Sequence, residues 1–468
     1  MSATETARQP PTIAAGNVPH LSRAEQIGLG SAERERVPRK AHGAFEPAAD
    51  RPDPVTILQA QTANRVADLV PVRHGRMAVS PFTFYRGAAA IMAADLAPAP
   101  RTQLRVQLCG DAHLSNFGVY SSPERQTVFD VNDFDETLPG PFEWDVKRLA
   151  ASFIVAGRSL GWTRALAHRA LVYAVASYRD RLRELASGGT LPTWYAHITV
   201  NDINSILTPA RRKALAGSLE TSATRRNSLG ALQKLTKVVD GQRQIIDSPP
   251  LVLRIMDTLS DEVITSTLAD YRKTLPVDRR QLIDRYRIVD VARKVVGVGS
   301  VGTLCLIAYL EGVDPKDPLF LQIKEAQASV LEPYLGRASQ RHHGQRVVEG
   351  QRLMQAASDV FLGWATGTGA DKRHFYYRQL WDGKWSADLE TFREPGILAY
   401  ARVCGWALAR AHARSGSAVA LASYVGGGNR CDQAMLEFGE AYADQNDRDF
   451  AAVTAAIADG RLEAVSGL

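Results

Sequence analysis

The sequence predicts an α+β fold, with a large, mostly helical part and a smaller β-rich part placed before the last helices. Three observations lead there. Apolar residues recur at i, i+3/i+4 spacing through most of residues 51–285 and again from 395 to the end. Residues 286–394 instead run in short alternating or apolar stretches punctuated by glycine, the pattern of strands and turns. The length of 468 residues exceeds what one simple core usually fills, so more than one core is expected.

Taken in order, residues 1–50 are rich in Pro, Ala, Arg and Glu with little periodicity and read as a flexible N-terminal arm. Residues 51–285 form the first helical part. Within it, "LRVQLCGD" alternates as a strand, and "NFGVYSSPERQTVFDVND" reads as two β-runs joined by a Ser/Pro turn. "EWDVKRLAASFIVAGRSLGW" and "RALAHRALVYAVASYRDRLRELA" are long amphipathic helices. The stretch 200–285 is charged, helical in pattern and poor in strand formers. In 286–394, "YRIVDVARKVVGVGSVGTLCLIAYLEG", "PLFLQIKEA" and "HFYYRQLW" supply strands around the helical "QRVVEGQRLMQAASDVF". Residues 395–468 return to helix.

Composition narrows the function classes. The net charge of +6 is spread among interleaved acids and bases, so solvated helix faces explain it and no nucleic-acid partner is expected. Four cysteines lie far apart without a CxxC pair, which favours free thiols in a reducing compartment. No secretory leader or bilayer-length apolar run is visible, so a cytoplasmic protein without a membrane partner is expected.

"CGDAHLSN" (109–116) followed by "DFDE" carries the first chemical signal. Asp111 on a loop can take the proton of an attacking hydroxyl. Asn116 can turn its amide oxygen onto a metal ion, and Asp133 or Asp135, at the end of the returning strand, can complete the cage. Mg²⁺ suits such a sparse set because it keeps several waters and phosphate oxygens. The competing reading is a polar turn with Asx hydrogen bonds and a helix cap. His113 could be a metal ligand, as in two-metal phosphoesterases, but a residue that orients the loop is the better reading.

"GVGSVGT" carries the second signal, with Gly297, Gly299 and Gly302. GxGxxG alone fits either a dinucleotide-binding strand–helix turn or a hairpin lid over phosphates. The strand-like runs that follow favour the lid, with Lys324 at the end of the second run as the phosphate-gripping lysine. Such a lysine needs a helix carboxylate to hold it, and Glu349 is the first choice ahead of Glu332 and Glu325. Asp145 is expected to cap its helix or brace the catalytic loop. Arg73, His74, Arg76 and Arg86 lie upstream, where an anionic-substrate role and a structural role both remain open.

Together these motifs resemble the protein-kinase-like superfamily, closest to its aminoglycoside and choline phosphotransferase branch. More closely, "RHGRMAVSPFTFYRG", "CGDAHLSNFG", "NDFDET", "KVVGVGSVGT", "LQIKEA", "QRVVEGQRLMQ" and "CGWALARAHARSG" resemble the bacterial domain-of-unknown-function family 2252, from about residue 35 onward. The resemblance implies a two-lobed kinase-like fold and ATP and Mg²⁺ as cofactors. It makes Asp111 the catalytic base, Asn116 and Asp133 metal ligands, the three glycines a phosphate lid and Lys324 the phosphate-binding lysine. The motif order is reversed, since the lid follows the catalytic loop, and this implies a circular permutation. The expected function is a phosphotransferase acting on a small molecule or, less readily, on protein. Alternatives are a nucleotidyl (AMP) transferase, a nucleotide-binding pseudokinase, a two-metal phosphoesterase and, last, an NAD-dependent dehydrogenase.

Overall fold

The computed structural model describes residues 20–369 and 372–467. Its architecture mixes helices with four sheets among the described residues. The flexible arm expected over residues 1–50 needs correction from residue 20 on; residues 1–19 lie outside the described residues. Helix α1 (Arg23–Arg36) opens on a capping box, with Ser22 accepting from the Glu25 amide and Glu25 reaching back to the Ser22 amide. It packs on a later helix through Gly30, where a Cβ would lie 2.2 Å from the Ala420 carbonyl oxygen.

Two short helices follow, α2 (Val70–Met77) and α3 (Pro81–Gly87), the second started by Ser80 and a proline in its first turn. Strand β1 (Arg105–Leu108) runs into the 109–116 loop. The expected hairpin is present as β2 (Phe117–Ser121) and β3 (Thr127–Val131), paired antiparallel from Phe117↔Val131 to Ser121↔Thr127. Strand β4 (Leu138–Pro141) returns to pair with β1. Helix α4 (Glu143–Ser159) is buried from Glu143 through Gly157, which makes it the axis of the main core. Helix α5 (Arg164–Ser187) packs against it.

The second part is built on a six-stranded sheet. Its strands are β5 (Val252–Arg254), β6 (Arg287–Lys294), β7 (Cys305–Glu311), β8 (Pro318–Glu325), β9 (Gly363–Thr366) and β10 (His374–Gln379). Their spatial order is β9-β10-β8-β7-β6-β5, every pair antiparallel. The sheet therefore begins at residue 252, earlier than 286, because a three-residue edge strand in a charged stretch gives no periodic signal. Strand alternation sorts β8. Leu319, Leu321 and Ile323 enter a core cluster with Phe375 and Tyr377, while Gln322 and Lys324 face the other way.

Helix α6 (His343–Met354) lies against β9 and β10. Helices α7 (Glu394–Ser415), α8 (Ala418–Val425) and α9 (Arg430–Ala458) close the main core against α4 and α5. The fit of α7 on α5 depends on Gly405, where a Cβ would stand 1.9 Å from the Ala174 carbonyl oxygen. The four cysteines are buried and free. No helix among the described residues is long and apolar enough to cross a membrane.

Candidate functional site

The 109–116 loop is built around Gly110, at φ +83°, where a side chain would strike the Glu136 backbone. Asp145, buried in the first turn of α4, accepts from the Cys109 and Gly110 amides at 2.8 and 3.0 Å. It braces the loop, the second of its two expected roles. His412 of α7 stands 3.3 Å behind it, with its other ring nitrogen 2.8 Å from the Tyr178 hydroxyl.

His113 helps hold the loop, its Nδ1 accepting from the Ser115 amide at 3.2 Å, while burial favours a neutral ring; it also lines the first of the cavities described below. Asn116 donates its amide to the Asp111 carbonyl at 2.8 Å, which turns its oxygen away from that bond. The Asn132 amide donates to the Asn116 carbonyl at 2.9 Å, so the β2–β3 hairpin delivers residues 132–136 beside the loop.

Asp111 has a partner that the sequence reading missed. Its Oδ1 accepts from Arg148 Nε at 2.8 Å and Nη2 at 2.7 Å, while Oδ2 lies 3.7 Å from His113 Nε2. Burial raises the Asp111 carboxyl and Arg148 pulls it back, with a net upward shift. Arg148 is itself fixed by the Tyr85 carbonyl at 2.6 Å and by the Tyr85 ring, 4.0 Å from its guanidinium carbon. The signal was present: Arg148 follows Asp145 by three residues and so shares its helix face.

"GVGSVGT" spans the turn between the antiparallel strands β6 and β7, so the strand–helix geometry of a dinucleotide-binding turn is absent here. Gly297 and Gly302 have φ of +71° and +92°. The loop is tied down from outside. Arg76 donates to the Gly297 carbonyl at 2.7 Å, Arg65 donates to the Val301 carbonyl, and the Val66 amide donates to the Gly302 carbonyl at 2.7 Å. A Cβ at Gly299 would meet the Arg86 carbonyl at 3.1 Å, so α3 and the lid approach each other closely.

Lys324 is 2% exposed and donates to Asp135 Oδ2 at 2.5 Å, with Asp133 Oδ1 at 3.9 Å. Tyr376, its cross-strand neighbour on β10, donates to the other Asp135 oxygen at 2.6 Å. Burial opposes the lysine's charge, but Asp133 and Asp135 outweigh it and raise the ammonium well above its ordinary value. Burial would likewise raise the Asp133 carboxyl, yet Lys324 and Arg378 hold it at about 2, so it is ionised at any neutral pH.

Two expectations change here. Glu349 does not hold the lysine: it accepts from Gln340 and Gln345 at 2.8 and 2.7 Å. Asp135, expected as a metal ligand, has both oxygens engaged by Lys324 and Tyr376. Asp133, about one-third exposed, is the freer carboxylate.

These groups converge on two adjoining cavities. The first, about 490 Å³, is lined by Asp111, Asn116, Asp133, Gly299 and three arginines, Arg65, Arg73 and Arg86. The second, about 320 Å³, is lined by Lys324, Arg378, Lys384 and Trp381. Asp133, Gly297 and Ser300 border both. Each volume lies in the range of small-ligand sites. Among the described residues no three His, Cys, Asp or Glu side chains converge as a metal cluster. Mg²⁺ asks for less, one or two carboxylates with waters and phosphate oxygens, and Asp133 with the Asn116 oxygen fits that demand.

Fold and site thus define a mixed α/β protein in which a glycine-loop hairpin, a buried lysine and loop carboxylates surround two joined cavities. The chain belongs to the family described as an uncharacterized protein conserved in bacteria (DUF2252), whose model matches residues 65–456. No curated protein and no solved structure matches it significantly.

Proposed function

We propose that the chain is an ATP- and Mg²⁺-dependent phosphotransferase of kinase-like, circularly permuted organisation, acting on a small-molecule acceptor. One observation carries the reading. Lys324 and Asp135, 189 residues apart, form a buried pair at the point where the glycine loop, Asp133 and the Asp111 loop border the same space.

In this reading the nucleotide occupies the second cavity, whose wall includes Trp381, with Lys324 and the glycine-loop amides meeting the phosphates. Asp133 and Asn116 would hold Mg²⁺, which neutralises charge on the phosphate oxygens. The acceptor enters the first cavity. Its hydroxyl oxygen forms a bond to the γ-phosphorus, the bridging P–O bond to the β-phosphate breaks, and ADP leaves with that electron pair. The hydroxyl proton goes to Asp111. Arg148 fixes the carboxylate through Oδ1, which leaves Oδ2 to receive it. Positioning and charge neutralisation are what such a transfer chiefly requires.

Calorimetry with ATP and Mg²⁺ tests the nucleotide half: saturable 1:1 binding is expected, and none would end the proposal. Incubation with γ-labelled ATP and a metabolite library, read by mass spectrometry, tests the transfer. Products that gain AMP in place of phosphate would assign nucleotidyl transfer instead.

A further inference from the structure

One wall of the first cavity carries three arginines, Arg65, Arg73 and Arg86, none of which is hydrogen-bonded to a carboxylate among the described residues. Arg73 is 0% exposed, yet only its Nη2 is satisfied, by Gln61 at 2.8 Å and the Gly87 carbonyl at 3.2 Å. Its Nε and Nη1 are buried without a partner, as are the Nε atoms of Arg65 and Arg86. All three residues lie on the wall of this cavity. A buried donor left unpaired costs about 1–3 kcal/mol, and more when charged.

Four of the five carboxylates on the same wall are hydrogen-bonded elsewhere, and the fifth, Asp133, stands 3.9 Å from Lys324. Asp111 is bound to Arg148, and Asp135 to Lys324. Glu325 takes the Leu304 amide and Arg373, and Glu136 takes the Val330 amide. Burial lowers the pKa of Arg65, Arg73 and Arg86, and nearby carboxylates (Glu136 for Arg65 and Arg73, Asp111 for Arg86) offset this only in part, whereas the ion pair with Asp111 raises Arg148.

We infer that Arg65, Arg73 and Arg86 form a binding site for an anionic phosphate or carboxylate group on the acceptor, which anchors its hydroxyl before Asp111. A planar guanidinium offers forked N–H pairs that match the oxygens of such a group. Arg65 and Arg86, each partly exposed, are the ones such a group can reach, while Arg73, 0% exposed, contributes its charge. The inference rests on the proposed phosphotransfer for the acceptor's role, while the anion site itself stands on the arginines alone.

The test uses inorganic phosphate, titrated by calorimetry into the full chain, and then into the chain saturated with a non-hydrolysable ATP analogue and Mg²⁺. Phosphate should bind in both cases. Arg86→Gln should weaken it at least tenfold and leave the affinity for the analogue within twofold. Arg86 is half-buried and tolerates the change better than Arg73; Arg65→Gln repeats the measurement at a second half-buried position. Absence of phosphate binding, or affinity unchanged in both variants, would overturn the inference. So would exclusion of phosphate by the analogue, or an equal loss of analogue affinity in Arg86→Gln, since either assigns the arginines to the nucleotide. If the analogue fails to bind while phosphate binds through Arg86, the phosphotransferase reading fails and the anion site remains.

Discussion

Lys324 and Arg73 are both buried cations on the walls of adjoining cavities, yet their surroundings differ in kind. Lys324 sits between two aspartates, and the hydroxyl of its cross-strand neighbour Tyr376 shares one of them. Arg73 has an amide oxygen and a carbonyl but no carboxylate, and two of its nitrogens are orphaned. A paired cation is held in place before any ligand arrives; an unpaired one is stabilised only when a ligand supplies the countercharge. The Asp111 loop follows the first pattern, since Arg148 fixes Asp111. The molecule therefore holds Asp111 and Lys324 through opposite charges and leaves Arg73 without a carboxylate partner.

The largest effect should come from Asp111→Asn, which keeps the shape and removes the proton acceptor. Turnover of an identified acceptor should fall about 10²–10⁴-fold, the usual contribution of a general base. ATP affinity, measured separately, should stay within twofold. Full activity in this variant would mean that the Arg148–Asp111 pair serves the fold alone.

Lys324→Met addresses the paired side directly. It leaves the part-buried Asp135 against Tyr376 without its cation, at a cost of about 1–3 kcal/mol in urea unfolding, less than for a fully buried pair because water reaches Asp135. Lys324→Met with Asp135→Asn should recover much of that loss. Additive losses in the double variant would show that the two residues do not stabilise each other.

The same rule can be examined away from the cavities. His42 is 1% exposed, shares a hydrogen bond with the Tyr424 hydroxyl at 2.7 Å, and faces no carboxylate partner; burial pushes its imidazole down to about 3. Below its ordinary value of 6.5, the unfolded chain takes up a proton that the folded chain refuses. Stability from this group is complete above that pH and declines as pH falls through the window towards 3. Between pH 7 and pH 5.5 the wild type should lose about 1 kcal/mol more than His42→Gln in parallel urea titrations. Equal losses would mean that the imidazole protonates freely in the folded state.

How much of this could be read from the sequence depended on how local each feature is. Asp111, Asn116 and Asp133 belong to one loop and one hairpin, so their proximity follows from a few residues of strand pattern. The glycine loop and Lys324 were legible because β6, β7 and β8 are consecutive antiparallel strands. The partner of Lys324 was not, because Asp135 comes from the other end of the chain and Tyr376 depends on the register of β8 with β10. Glu349 had suitable spacing, but the rotation of α6 points it at Gln345. The helix α1 was signalled by Ser22 and Glu25 three residues apart, a local cue that the Pro- and Ala-rich composition around it obscured. Which arginines lack partners is a property of the packed state alone.

Arg86→Met is expected to have the smallest effect on stability and bears most directly on the contrast. If the arginine side is unbalanced, removing the Arg86 charge lifts a desolvation cost and removes an orphaned donor, while the methionine keeps comparable apolar bulk. Stability should then change by less than about 1 kcal/mol, with a gain as acceptable as a small loss. Added phosphate should stabilise the wild type by mass action, raising its Tm in proportion to the logarithm of concentration above Kd, and should raise that of Arg86→Met far less. A loss as large as that of Lys324→Met would show that Arg86 is held by a countercharge after all. The difference between the two walls would then be one of degree.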